Sequence, residues 1–231
     1  MKKLAILQPN YLPWKGVFDL IYRVDVFVFL DDVQYTEHDW RNRNKILTAQ
    51  GAQWITVPVK NSRRRGQLIY EAEIENRVNW QRKHYNSFQA NYARAPYFKQ
   101  FKWIIEDIFM EHQWTRLSDL NIYSTKLIAG VLGIRTEFIN SLDLNSTGFK
   151  EDKVIDICKK LNGDYYLSGP TAKAYIAPRK FSDQDITLDY ISYEYPEYRQ
   201  LHEPFNHHVT VLDLIFNCGP DAPYYIWGWR E

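Results

Sequence analysis

At 231 residues, against roughly 100 to 200 residues per domain, the chain has room for one large domain spanning 1–231 and too little for two of full size. Apolar residues at 45% and charged residues at 25% sit close to globular averages of about 45–50% and 25%, which excludes disordered and collagen-like classes. Twenty-nine basic against 28 acidic residues leave a formal charge of +1, so no net field draws the chain to nucleic acid or to an anionic membrane, and any anion site has to be local.

The N-terminus is basic, but its apolar run over residues 4–7 stops at Gln8, short of the ~7–15 apolar residues of a signal peptide. No run reaches the ~18 apolar residues that read as a membrane span. Cytoplasmic residence and the absence of an integral membrane segment are the expectations. Residues 4–7 and 26–30 are continuous apolar runs of the kind buried on both faces of a sheet. Between them Phe18, Ile21 and Tyr22 fall at helical spacing. Strand, proline-rich loop, helix and strand make a βαβ unit, whose right-handed crossover puts the loops after Leu7 and Leu30 on one edge of a parallel sheet. Ligands of open α/β sheets bind at that edge.

The first loop, Gln8-Pro9-Asn10-Tyr11-Leu12-Pro13-Trp14-Lys15-Gly16, is stiffened by two prolines. Gln8 and Asn10 carry donors and acceptors suited to a sugar hydroxyl or a nucleobase, with Trp14 beside them; alternatively, Tyr11 and Trp14 simply plug the sheet. The second loop begins at Asp31-Asp32. Two carboxylates next to a buried strand have to be solvated, paired or metal-bound; a divalent cation, capping of the next helix or turn, and pairing with Arg41 or Arg43 all meet that need. Residues 34–44, with Gln34, Asn42, Arg43 and Asn44, are dense in hydrogen-bonding side chains. Arg43 is the first choice for a phosphate or carboxylate contact, its alternative being a structural bridge to Asp31 or Asp32.

Residues 54–59 form a third apolar segment, and the three arginines within 61–66 read as an exposed turn. Residues 80–132 are mostly helical by periodicity: Phe101, Ile104, Ile105, Ile108 and Phe109, then Leu120, Tyr123, Leu127, Ile128 and Val131 up to Gly133. Lys83-His84 lies at the start of this block, and a histidine beside a lysine has its charged form disfavoured, as a neutral base requires; simple hydrogen bonding is the other reading. A further helix with Val154, Ile157, Cys158 and Leu161 inward ends at Asn162-Gly163. Cys158 reads as core, and two cysteines are too few for a disulfide framework. Ser168 in Tyr165-Tyr166-Leu167-Ser168-Gly169 follows a strand as anion-binding turns do. His202, His207 and His208 lack zinc-ligand spacing. The fold class is therefore α/β, a mostly parallel, Rossmann-like sheet flanked by helices, with a helical block in mid-chain; the weakest join is the polar stretch 140–150.

Residues 7–14, 29–35, Asn42-Arg43-Asn44 and 54–59 together resemble the opening signature of the WbqC-like family, and Lys83-His84, Tyr166-Leu167-Ser168-Gly169 and residues 214–217 before Gly219 resemble its later motifs. Members are associated with bacterial surface polysaccharide gene clusters, so the resemblance implies work on O-antigen or similar sugars. No catalytic residues are carried over from the family. Three functions compete. One is transfer of an acyl or aminoacyl group to an amino sugar or nucleotide sugar, with Arg43 on the anion and His84 as base. Another is glycosyl or nucleotidyl transfer, with Asp31 and Asp32 holding a divalent cation on a diphosphate. The third is non-catalytic sugar binding, in keeping with 16% aromatic residues. The start also resembles nucleotidylyltransferase-like folds, but Trp14-Lys15-Gly16 stands where their paired histidines would be.

Overall fold

In the computed structural model, which describes residues 1–60, 65–174 and 176–230, the first two apolar runs are neighbouring parallel strands, β1 (Lys3–Leu7) and β2 (Val26–Phe29), joined by α1 (Lys15–Tyr22). Their register runs from Leu4 opposite Val26 to Leu7 opposite Phe29. The two strands end in step, and the loops after them leave by the same edge.

An antiparallel hairpin follows, β3 (Arg43–Thr48) and β4 (Gly51–Thr56), outside the main sheet. The expected apolar segment at 54–59 thus begins with an indole, Trp54, that is 43% exposed. A lone hairpin packs only one face on the core, here through Ile46 and Ile55, and solvates the other. Of the arginine run, Arg65 and Gly66 form a turn; Asn61, Ser62, Arg63 and Arg64 lie outside the described residues.

The helical block consists of α2 (Trp80–Tyr92), the short α3 (Phe98–Phe101) and α4 (Trp103–Glu106), a π-turn at Asp107–Glu111, and α5 (Leu117–Val131). The regular pattern at 101–109 spans several of these pieces, because all of them bury the same side. The chain then returns to the sheet as β5 (Glu137–Asn140), passes through α6 (Glu151–Lys160) to β6 (Tyr165–Ser168), and through α7 (Pro178–Ser182) to β7 (Thr187–Tyr190); α8 (Val211–Cys218) follows. The polar stretch 140–150 holds a 3-10 turn, Ser141–Leu144, between β5 and α6.

Strand order in the sheet is β5-β2-β1-β6-β7, parallel throughout. The winding therefore reverses between β1 and β6, as in doubly wound folds, and opens a crevice at the carboxyl ends of those two strands. Both faces are covered, which explains the continuous apolar runs. Leu4, Ile6, Val26 and Val28 pack on Ile157 and Cys158 of α6 and on Phe181. Ala5, Phe27 and Phe29 turn to the larger layer, with Phe18, Ile128 and Phe216. Cys158 is core, its thiol pushed up to about 12 by burial. No helix among the described residues is long and apolar enough to cross a membrane.

Where α6 turns into β6, Gly163 lies against β1: a Cβ there would stand 2.0 Å from Cδ1 of the fully buried Leu4. Gly163→Ala is expected to cost about 1–3 kcal/mol through overpacking, read as a lower urea midpoint at unchanged slope.

Candidate functional site

The loop after β1 is held by hydrogen bonds to its own carbonyls. Asn44 Nδ2 donates to the carbonyls of Tyr11 (3.2 Å) and Leu12 (2.6 Å). Asn121 Nδ2, from α5, donates to those of Pro9 (3.1 Å) and Arg41 (2.7 Å). The Val211 amide reaches the Pro13 carbonyl at 2.9 Å, and the Tyr11 amide donates to the Trp40 carbonyl at 2.8 Å. Tyr11 is fully buried, and its hydroxyl meets His84 Nδ1 at 2.8 Å. Trp14 folds back over α1: a Cβ on Gly16 would come within 2.3 Å of the indole, so only glycine lets the ring lie there.

Beside this loop, at the crevice between β1 and β6, lies a cavity of about 520 Å³. Leu7 and Asn10 bound it on the β1 side, Gly169, Pro170 and Thr171 on the β6 side. Its walls are aromatic. Trp14 meets Tyr193 edge-on (4.9 Å between centroids) and Tyr195 (6.0 Å), with Trp40 at the rim, 43% exposed. Polar groups come from Asn10, Asn44, Thr171, Tyr193, His207 and His208. No Asp, Glu, Lys or Arg among the described residues lines it.

His207 is one of two histidines on the cavity wall. Its Nδ1 is buried without a hydrogen-bond partner, and Phe205 packs edge-on against the ring at 4.5 Å. Burial first, then the nearby charges of Lys15 and His208, pulls its pKa down to about 4, so the imidazole is neutral at pH 7. Lys15 lies behind the wall, 2% exposed, with Nζ over the rings of Tyr195 (4.9 Å) and Tyr198 (5.1 Å); burial lowers its pKa to about 8. Tyr195 is fixed by donating to Asp19 Oδ2 at 2.9 Å. Arg23 and Arg230 in turn pair with the fully buried Asp19.

Of the residues singled out in the sequence, Asn10, Trp14 and Asn44 line the cavity. Ser168 is buried at the end of β6, one residue before the lining begins. Gln8 accepts a hydrogen bond from Arg41 at the root of the loop. Asn42 is buried and donates to the Val57 carbonyl, and Gln34 is exposed, bridged to Leu68. Arg43 lies over Trp54 at 4.2 Å. Lys83 is exposed on α2, whereas His84 is buried below the loop; neither lines the cavity. The charged form of His84 is indeed disfavoured, its pKa lowered to about 4, but burial is the main cause and Lys83 a lesser one.

Asp31 and Asp32 form a second cluster at the ends of β2 and β5. Ser118 donates to Asp31 Oδ2 at 2.7 Å, and burial raises the Asp31 pKa. Ser141 donates to Asp32 Oδ1 at 2.7 Å, and Lys153 Nζ pairs with Asp32 Oδ2 at 2.6 Å. Neither Arg41 nor Arg43 pairs with these carboxylates: Arg41 binds Asp39 at 2.6 Å, and Lys153, 121 residues from Asp32, takes the role. No group of three or more His, Cys, Asp or Glu that could hold a metal ion occurs among the described residues.

Sequence reasoning missed Thr171, Tyr193 and Tyr195 and passed over His207 once zinc spacing failed. The signal available was the recurrence of Tyr190, Tyr193, Tyr195 and Tyr198 ahead of the His207-His208 pair.

A model of the WbqC-like protein family matches residues 8–225. The chain is 41% identical over 227 residues, 98% of each protein, to the uncharacterized protein Rv1507c of Mycobacterium tuberculosis (strain ATCC 25618 / H37Rv). No solved structure matches it.

The buried His84 makes stability depend on pH. Its folded pKa of about 4 lies below the ordinary 6.5, so the unfolded chain binds the proton more readily. The stability it lends is fully present above pH 6.5 and is lost as pH falls through 4. For 4%-exposed His84 the loss is on the order of 3 kcal/mol. Urea unfolding at several pH values should show a shallower acid decline in His84→Gln than in the wild type; equal slopes would place the effect elsewhere.

Proposed function

The chain belongs to the WbqC-like protein family, and from the geometry of its cavity we propose that it transfers an acyl or aminoacyl group to the amino group of a sugar or nucleotide sugar used in a bacterial surface polysaccharide. The observation that carries this reading is the aromatic cavity at the crevice between β1 and β6, lined among the described residues by no Asp, Glu, Lys or Arg, with a buried, unpartnered Nδ1 on His207. Its volume of about 520 Å³ falls within the ~300–1,000 Å³ of small-molecule sites. Rings of Trp14, Tyr193 and Tyr195 offer apolar faces to a pyranose. Asn10, Thr171 and the Tyr193 hydroxyl can meet its hydroxyl groups.

In this reading the proton acceptor is His207 rather than His84, because His84 is buried below the loop with Nδ1 on the Tyr11 hydroxyl and does not line the cavity. As the sugar nitrogen bonds to the acyl carbon, the bond from that carbon to its leaving group breaks, the leaving group departs with that electron pair, and the nitrogen sheds a proton to His207, which can return it to the leaving group. The imidazole is neutral and free to take up a proton, and with a pKa of about 4 it is a weak base that acts once the nitrogen's proton has become acidic on bonding to the acyl carbon. Metal-assisted transfer draws no support from Asp31 and Asp32, which are already bonded to Ser118, Ser141 and Lys153. Non-catalytic sugar binding would use the same cavity and is the reading that the experiment separates.

The test is incubation with pooled amino sugars and nucleotide sugars plus acyl and aminoacyl donors, with and without Mg²⁺, read by mass spectrometry. A new acyl-sugar mass is expected, and His207→Ala should slow its formation about 10²–10⁴-fold while the sugar still binds. Binding without any new mass would leave a sugar-binding protein. Activity dependent on Mg²⁺ and abolished by Asp32→Asn would favour the metal-assisted route.

A further inference from the structure

A cavity that no Asp, Glu, Lys or Arg lines among the described residues suits a neutral sugar ring, but it leaves the anionic part of an activated or acidic saccharide without a partner. Just outside the rim the hairpin supplies one. Trp40, which lines the cavity, contacts Trp54 at 5.3 Å between centroids, and both indoles are 43% exposed. In the hairpin register Lys45 is opposite Trp54 and Arg43 opposite Thr56, so all of them stand on the solvent face. The Arg43 guanidinium lies 4.2 Å from the Trp54 ring and the Lys45 ammonium 4.8 Å. Among the described residues neither cation has a carboxylate within ion-pairing distance, although Lys60, Arg77, Lys102 and Lys153 all do.

We propose that Trp40, Trp54, Arg43 and Lys45 form a second subsite, continuous with the cavity, that binds the negatively charged portion of a saccharide, a sugar carboxylate or a sugar phosphate. The inference rests on the cavity taking a sugar ring. Stacking by indoles holds the sugar, and two cations already ordered on an aromatic face lose little side-chain freedom when an anion arrives. Neighbouring strand positions fix both charges on one side, so the anion is met by two of them. Two indoles beside basic residues are also the chemistry of a membrane interface, but here one indole belongs to the cavity wall and both cations are laid on a ring, an arrangement that points to a ligand running from the cavity outward.

Tryptophan fluorescence titrations of the full chain test this with three probes: N-acetylglucosaminyl disaccharide as the neutral sugar, a glucuronic acid–N-acetylglucosamine disaccharide, and N-acetylglucosamine 1-phosphate. Either anionic probe or both should bind about tenfold more tightly than the neutral one at low salt, an advantage that decays as salt rises. Arg43→Gln/Lys45→Gln should erase that advantage and leave the neutral sugar unaffected; preference for one anion over the other identifies its source. Equal affinity for charged and neutral probes in the wild type, or an advantage that survives in the double variant, overturns the subsite. Should the double variant fail to fold, the salt dependence of the wild type decides, and a salt-independent preference overturns it. Trp14→Ala tests the cavity separately: if it weakens the neutral probe while the double variant changes nothing, the cavity reading stands and the subsite falls. Binding to anionic phospholipid vesicles in the absence of any sugar binding would replace the subsite with a membrane contact.

Discussion

The buried carbonyls of the loop between β1 and α1 are the constraint on which the rest of the molecule depends. Its two prolines have no N–H and the loop joins no ladder, so the carbonyls of Pro9, Tyr11, Leu12 and Pro13 would each lack a partner inside the protein, at a cost of about 1–3 kcal/mol apiece. Asn44 from the hairpin, Asn121 from α5 and the Val211 amide at the start of α8 supply those partners. Each bond also ties a separate part of the chain to the loop. The hairpin, the helical block and the last helix are thereby placed around the carboxyl end of β1, and the cavity opens beside this fixed loop, walled by the turn after β6 and by residues 193–208.

The same loop explains why a doubly wound sheet here does not present the usual phosphate cradle. That cradle needs glycines and bare amides at the start of the first helix. In this chain the Trp14 indole lies over Gly16 on the first turn of α1, so an apolar surface covers the place where a pyrophosphate would approach. The crevice keeps its position at the reversal of strand order but changes its chemistry from anion-binding to aromatic. Fold alone would not have indicated that change.

Charge is kept out of the cavity by being neutralised behind it. Asp19 is matched by Arg23 and Arg230, Asp213 accepts from Tyr92, Tyr198 and Gln200, and Lys15 is laid under two phenol rings. Burial raises the Asp213 pKa while those hydrogen bonds oppose it. In such surroundings a hydrogen bond to a ligand is strengthened by the low local dielectric, and His207 is held neutral by that desolvation more than by any one neighbour.

The sequence by itself determined the layers. The runs 4–7 in β1 and 26–29 in β2 are apolar at every position because both faces are buried, α5 and α6 show a 3.6-residue stripe because one face is, and the proline-stiffened loop with Asn10 and Trp14 stands out by composition. Strands β5 and β7 were not legible, being four residues each with mostly half-exposed or exposed positions, too short and too polar for a period to emerge. Residues 191–209, which bring Tyr193, Tyr195 and His207 to the cavity, contain no described helix or strand, so no periodicity could reveal which side they turn inward. Only the tertiary structure decided that Asp32 meets Lys153 from far along the chain and that His207 lines the cavity while His84 does not. Periodicity records which face of an element is buried; which elements share an edge is decided by strand order and by where buried polar groups find partners, and both are long-range.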